Sequence, residues 1–109
     1  MQFSQTEYSI LNLHQGVDFE IFFKLSDIDD SIDITEKEIK VQFRKNYESK
    51  NFWEFHVTKS EDGFTIFLSK DKSKDIRAGY YNYSVVMSDY YGSDIYYQGA
   101  VNVIPTYLR

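Results

Sequence analysis

The sequence predicts an all-β chain, a single antiparallel β-sandwich of about seven strands. Three observations carry this reading. Short runs alternate apolar and polar residues with period two, the pattern of a strand with one buried face. Turn-forming residues separate these runs about every 8 to 12 positions, with no strand–helix alternation, which argues against a parallel sheet. Aromatic residues make up 18% of the chain, and such side chains suit pleated, half-buried surfaces. Strands at this spacing in one small chain are the sequence mark of an immunoglobulin-like sandwich.

Taken in order, Met1 to Thr6 reads as a loose polar arm. Tyr8 to Leu13 is a first short strand, and His14-Gln15-Gly16 turns the chain. Asp18 to Leu25 is a second strand, with Phe19, Ile21, Phe23 and Leu25 inward and Asp18, Glu20, Phe22 and Lys24 outward. Ser26 to Ser31 is a loop, and Ile32 to Thr35 reads as a short edge strand or a crossing. Lys37 to Arg44 is the clearest alternation, with Ile39, Val41 and Phe43 inward. In Phe52 to Val57 the apolar set is Trp53, Phe55 and Val57, which is therefore assigned inward. Phe64 to Ser69 follows, with Phe64, Ile66 and Leu68 inward and Phe67 outward. Lys70 to Ala78 is the one candidate helix, of one or two turns at most, capped by Asp71 or Ser73 and anchored by Ile76.

Two long strands close the chain. Tyr81, Tyr83, Val85 and Met87 alternate with polar neighbours up to Asp89. Asp89 can bond its own backbone and Gly92 can take positive φ, so Asp89 to Ser93 is read as a tight turn. Ile95, Tyr97, Gly99, Val101 and Val103 continue the inward series. Pro105, lacking an N–H, ends it.

Length and composition narrow the function classes. At 109 residues the chain is expected to be one domain, 1–109. A formal net charge of −5 disfavours nucleic-acid backbones and anionic membranes as partners. The absence of cysteine removes disulfides, thiol nucleophiles and thiolate metal sites. No apolar run reaches membrane-spanning length, and the first residues carry neither the basic nor the apolar region of a secretory signal.

No constellation for catalysis is present. Serines are plentiful, but none sits in a Gly-x-Ser-x-Gly elbow. The glycines are dispersed, so no phosphate-cradling loop forms. His14 and His56 lack companions at metal-ligand spacing. Asp27, Asp29, Asp30 and Asp33 cluster, yet without the glycine and glutamate of a calcium loop, and are read as a turn. The expectation is a non-enzyme with no catalytic, cofactor or metal residue. Outward aromatics are the more informative feature, because exposed aromatic patches mark interfaces. Phe22, Phe67, Tyr90, Tyr91 and Tyr96 are the candidate interface residues, with Tyr80 beside them.

Several segments occur in a recognisable order. They are Gln15-Gly16-Val17-Asp18-Phe19, Ile32-Asp33-Ile34-Thr35 and Phe43-Arg44-Lys45-Asn46-Tyr47-Glu48-Ser49. Gly79-Tyr80-Tyr81-Asn82-Tyr83 and Gly99-Ala100-Val101-Asn102-Val103-Ile104-Pro105 follow. In this layout the chain resembles small virion structural proteins of contractile-tailed phages. It is also similar to the N-terminal domain of upper baseplate proteins of lactococcal-type phages. The resemblance implies an immunoglobulin-like sandwich that is a structural part of a phage virion, in the tail, baseplate or neck. It implies assembly in the host cytoplasm, partners among other virion proteins or further copies of itself, and no catalysis. Two alternatives stand beside it: capsid-surface decoration, and a carbohydrate- or host-surface-binding module using Trp53 and exposed tyrosines as stacking platforms.

Overall fold

The computed structural model describes residues 9–24, 34–46 and 48–106. Seven strands follow one another: β1 (Ile10–His14), β2 (Phe19–Lys24), β3 (Glu38–Arg44), β4 (Trp53–Lys59), β5 (Gly63–Leu68), β6 (Gly79–Asp89) and β7 (Gly92–Ile104). One helical turn, α1 (Lys70–Ser73), lies between β5 and β6. No helix among the described residues is long and apolar enough to cross a membrane.

The strands form one seven-stranded sheet in the order β1-β7-β6-β3-β4-β5-β2. This corrects the expectation of a purely antiparallel sandwich, because β1 runs parallel to β7, with Ile10 opposite Ala100 and His14 opposite Ile104. Every other ladder is antiparallel. Strand β4 divides its pairing. Trp53 to Phe55 bond β3, whereas His56 to Lys59 bond β5.

The sheet bends over on itself. Strands β6 and β2 are four ladder steps apart, which is about 19 Å in a flat sheet. The rings of Phe23 on β2 and Tyr83 on β6 nevertheless meet at 6.4 Å. The sheet is therefore nearly barrel-shaped, with β1 and β2 as its edges and the inward residues trapped between.

Those inward residues match the alternation. Phe23, Ile39, Val41, Phe43, Phe55, Phe64, Ile66, Leu68, Tyr81, Tyr83, Val85, Met87, Tyr97, Val101 and Val103 are all buried. Rings dominate the packing. Phe43 stacks on Trp53 at 5.5 Å and meets Tyr81 edge-on at 5.7 Å. Phe23 stacks on Phe64 at 5.0 Å. Aromatic pairs in these geometries add about 0.5 to 1.5 kcal/mol beyond burial.

The segment between β5 and β6 is held by the first turn of the chain. Gln15 Nε2 donates to the Ile76 carbonyl at 2.7 Å, and the Gly16 N–H donates to the buried Ser73 Oγ at 3.0 Å. Asp18 Oδ1 accepts from the Lys70 N–H at 2.7 Å. The helix cap expected at Asp71 or Ser73 is thus supplied by Asp18, and Ser69 at the N-cap position makes no side-chain cap. The helix is one turn long, within the one or two turns expected of Lys70 to Ala78. Ile76 is fully buried, as its anchor role requires.

One further expectation meets the structure differently. Ile34 is buried and Thr35 begins a turn, so neither continues an edge strand. The arm Met1 to Thr6, most of the acidic loop with Asp27, Asp29, Asp30 and Asp33, and Leu25 lie outside the described residues.

Candidate functional site

The β6–β7 hairpin carries the most exposed aromatics of the described chain. Its connection consists of two residues, Tyr90 and Tyr91, between the paired Asp89 and Gly92. Asp89 Oδ1 accepts the Tyr91 N–H at 2.8 Å, closing the turn from within. Gly92 has φ of +143°, a conformation that L side chains rarely adopt. With the turn fixed by these two groups, the tyrosine side chains have no part in holding it. They are 94% and 92% exposed and touch each other edge-on at 5.3 Å.

Asp89 also bonds Lys37, Nζ to Oδ2 at 2.9 Å, which ties the hairpin to the start of β3. The lysine hydrogen bond, followed by the Tyr91 N–H, holds the Asp89 carboxyl below its ordinary range. Lys59 reinforces the same end, its Nζ donating to the carbonyls of Ile34, Thr35 and Lys37 at 3.3, 3.3 and 2.6 Å. The tip therefore projects from a braced base.

The other candidate residues divide. Phe22 is exposed on the outer face of β2, opposite Thr65. Phe67 lies on the same outer face, opposite both Glu20 and His56. It is half-buried rather than exposed, and a cleft of about 260 Å³ bordered by Glu54, His56 and Lys72 runs beside it. Phe22 and Phe67 are diagonal neighbours, within reach of one another. Phe22 and Phe67 belong to the β2–β5 ladder, whereas the ring that Tyr90 meets is Tyr91 on the β6–β7 turn.

Tyr96 corrects the expectation most clearly. Val85 faces Tyr97 and Val86 faces Ile95, so Tyr96 is an extra residue in β7. Such a bulge shifts the register by one, and a one-residue shift exchanges the two faces of the strand. Tyr96 packs, half-buried, against the core. Ile95 moves from its expected inward position to the outside and is 58% exposed. A smooth period-two reading of β7 misses this, because the sequence of alternating classes continues across the bulge.

A second surface escaped the sequence reading. On the outer face of the central strands Gln42 stands opposite Glu54 and Ser84, and Ser84 opposite Gln98. The adjacent row holds Arg44, Asn82 and Ala100. Gln42, Arg44, Asn82 and Ser84 line a notch of about 50 Å³. Phe52 and Tyr80, both exposed, border this face, with the Arg44 guanidinium 5.1 Å from the Phe52 ring centroid. Trp53, assigned inward by the alternation and named as a stacking platform only under the carbohydrate alternative, packs inward against Phe43 and Tyr81.

Among the described residues no group of three or more His, Asp or Glu side chains converges to hold a metal ion. His14 and His56 are exposed on different strands, β1 and β4.

The chain matches no protein-family model and no curated protein. Among solved structures it is similar to a GspB Siglec domain, with a TM-score of 0.55 and 17% identity over 90% of this chain. It spans 55% of that chain. At this identity the likeness concerns the fold alone.

Proposed function

We propose that this chain is a structural docking module of a phage virion, in the tail, baseplate or neck, working through protein–protein contact. The observation that carries the docking part is the pair Tyr90 and Tyr91, almost fully exposed on a turn whose geometry does not need them. Tyrosine is enriched in interfaces because it buries a large rigid surface and keeps a polar tip. Ile95 adds an apolar neighbour near the same end of the hairpin. The virion assignment rests on the ordered motifs of the sequence, and the partner is another virion protein or a further copy of this chain.

Three features support an immunoglobulin-like architecture beneath this role. They are the shared strand β4, the ring contact between β2 and β6, and Tyr81, whose hydroxyl donates to the Arg77 carbonyl at 2.6 Å. A tyrosine reaching back four residues near the start of β6 is like the corner of such sandwiches.

A photo-cross-linking residue in place of Tyr91 tests the docking. A cross-link to a virion protein or to a second copy is the expected outcome in assembled particles. Particles that contain the protein without any cross-link from that position contradict it.

Carbohydrate or host-surface binding is the second reading. The likeness in fold to a Siglec domain favours it, together with the polar central face bordered by aromatics.

A further inference from the structure

We infer that the outer face of β2 and β5 is a self-association surface, on which a second copy of this chain docks face to face about a two-fold axis over Phe22. The inference makes no use of the β6–β7 tip and stands independently of its docking role.

The first observation is a strand without charge. From Gly63 to Ser69 there is no charged side chain, although 27% of the residues of the chain are charged. Gly63, Thr65 and Phe67 are the outward positions of β5, opposite Lys24, Phe22 and Glu20 of β2. Thr58 of β4 extends the middle row. The outer face of β3, with Glu38, Lys40, Gln42 and Arg44, is by contrast an ordinary solvated face. Aromatics beside a strand free of charge have the composition of an interface core, where charged residues are depleted.

Phe22 is held before anything docks. A Cβ at Gly63 would lie 3.1 Å from its Cζ, so the ring rests along the bare backbone of the neighbouring strand. The ring is 40% exposed. A side chain already placed loses little freedom on binding.

The charges say what this face meets. Along β2 the outward order is Glu20, Phe22, Lys24, all three exposed. Acid, ring and base in this order are complementary to the same order reversed. A second copy laid antiparallel on the first, its two-fold axis along the row of Phe22, Thr65 and Thr58, sets Phe22 against Phe22. The same rotation brings Glu20 of each copy over Lys24 of the other. It also places Phe67 over Gly63, which has no side chain to obstruct it. Packed sheets cross at about −30°, which moves these charges sideways by only ~3 Å, within reach of both side chains. An unrelated partner would have to supply the reversed pattern, and a copy of this chain always does.

The size of the face sets the strength. Three strands of about six residues cover roughly 14 by 20 Å, well short of the ~800 Å² per partner of a stable dimer. The dimer is therefore weak in dilute solution and fills where copies are held close together.

Sedimentation equilibrium of the whole chain from about 20 μM to about 1 mM tests this. The expected result is a weight-average mass that rises reversibly from 13.0 kDa toward twice that value. Phe22→Ser should weaken association at least ten-fold. Glu20→Lys alone and Lys24→Glu alone each set like charges across the axis and should weaken it about five-fold. An equimolar mixture of these two variants sets opposite charges at both places and should associate at least as well as the parent, an outcome that misfolding cannot imitate. Tyr90→Ser with Tyr91→Ser should leave the dimer unchanged. A monomer throughout the range, no effect of Phe22→Ser, a mixture as weak as its components, or loss of the dimer in the tip variant overturns the inference. The docking role of Tyr90 and Tyr91 is read separately, from cross-links in particles.

Discussion

The two halves of the β6–β7 hairpin use the same residue type in opposite ways. Near its base Tyr81, Tyr83 and Tyr97 are buried, and β7 is flanked by β1 on one side and β6 on the other. Toward the tip Tyr90 and Tyr91 are exposed, and from Gly92 to Gln98 no described strand covers the outer edge of β7. Composition alone cannot separate these tyrosines. What separates them is register, and the bulge at Tyr96 marks the change. Below it the strand belongs to the core; above it the strand belongs to the surface.

The sharpest way to break this comparison is to truncate one tyrosine from each half. Tyr83→Ala removes a fully buried ring that touches Phe23 and Tyr97, with an expected loss of about 3 to 5 kcal/mol. Tyr90→Ala should stay within about 0.5 kcal/mol of the parent. Urea unfolding measures both, and similar losses at the two positions would show that the tip is part of the folded core.

Two glycines extend the contrast. At Gly99 a Cβ would lie 2.6 Å from the Tyr83 ring and 2.8 Å from the Ser9 carbonyl oxygen. Gly99→Ala should therefore cost about 1 to 3 kcal/mol through overpacking. At Gly92 nothing lies within 4 Å of such a Cβ, and the constraint is the backbone φ. Gly92→Ala should cost about 1 to 2 kcal/mol, together with line broadening confined to the tip in NMR spectra.

Much of the fold is legible from period two alone. Expected and observed strands agree to within about two residues for β2 through β5, and the Asp89 and Gly92 roles in the turn follow from their chemistry. What escapes is what period two does not encode. The parallel pairing of β1 with β7 depends on where the first strand lands, not on its own pattern. The division of β4 between two partners leaves no trace in its alternation. The bulge at Tyr96 is hidden because Ile95, Tyr96 and Tyr97 are all apolar enough for either face. The candidate site was partly legible: Phe22, Tyr90 and Tyr91 are exposed, while Phe67 and Tyr96 are half-buried. The polar face around Arg44 was not, because its residues come from four strands.

The ordered motifs have structural work to do where they are described. Gln15, Gly16 and Asp18 hold the segment after β5. Arg44 reaches the Ser49 carbonyl, and Asn46 closes the same loop by accepting the Glu48 N–H at 3.0 Å. Tyr81 donates its hydroxyl to the Arg77 carbonyl, and Gly99 allows close approach. Such motifs report on a fold, and the tip that carries the proposed docking lies outside them.

Smaller effects sharpen the picture at each end of β6. Tyr81→Phe deletes the hydroxyl bond to Arg77, with an expected loss of about 1 kcal/mol. Burial raises the Tyr81 hydroxyl above its ordinary value of about 10, with nearby Arg77 acting in the opposite direction. The folded protein then holds that proton more tightly than the unfolded chain. The associated stability is complete below the ordinary value and is lost as pH rises through the raised one. Thermal melts between neutral and strongly alkaline pH should show a shallower alkaline decline for Tyr81→Phe.

At the tip the sign reverses. The folded-state carboxyl of Asp89 is held below its ordinary value of about 3.8. Its contribution is present above that value and is lost as pH falls through the lowered one. Asp89→Asn should flatten the acid limb of the same pH series slightly. An unchanged limb would mean that the Lys37 contact has no effect on stability in solution.

The most direct measurement is the abundance of the Tyr90→Ser, Tyr91→Ser double variant in purified particles, by quantitative mass spectrometry, beside its melting temperature as free protein. An unchanged melting temperature with the variant missing from particles is the predicted result. Incorporation at the parent level would contradict a docking role for the hairpin tip.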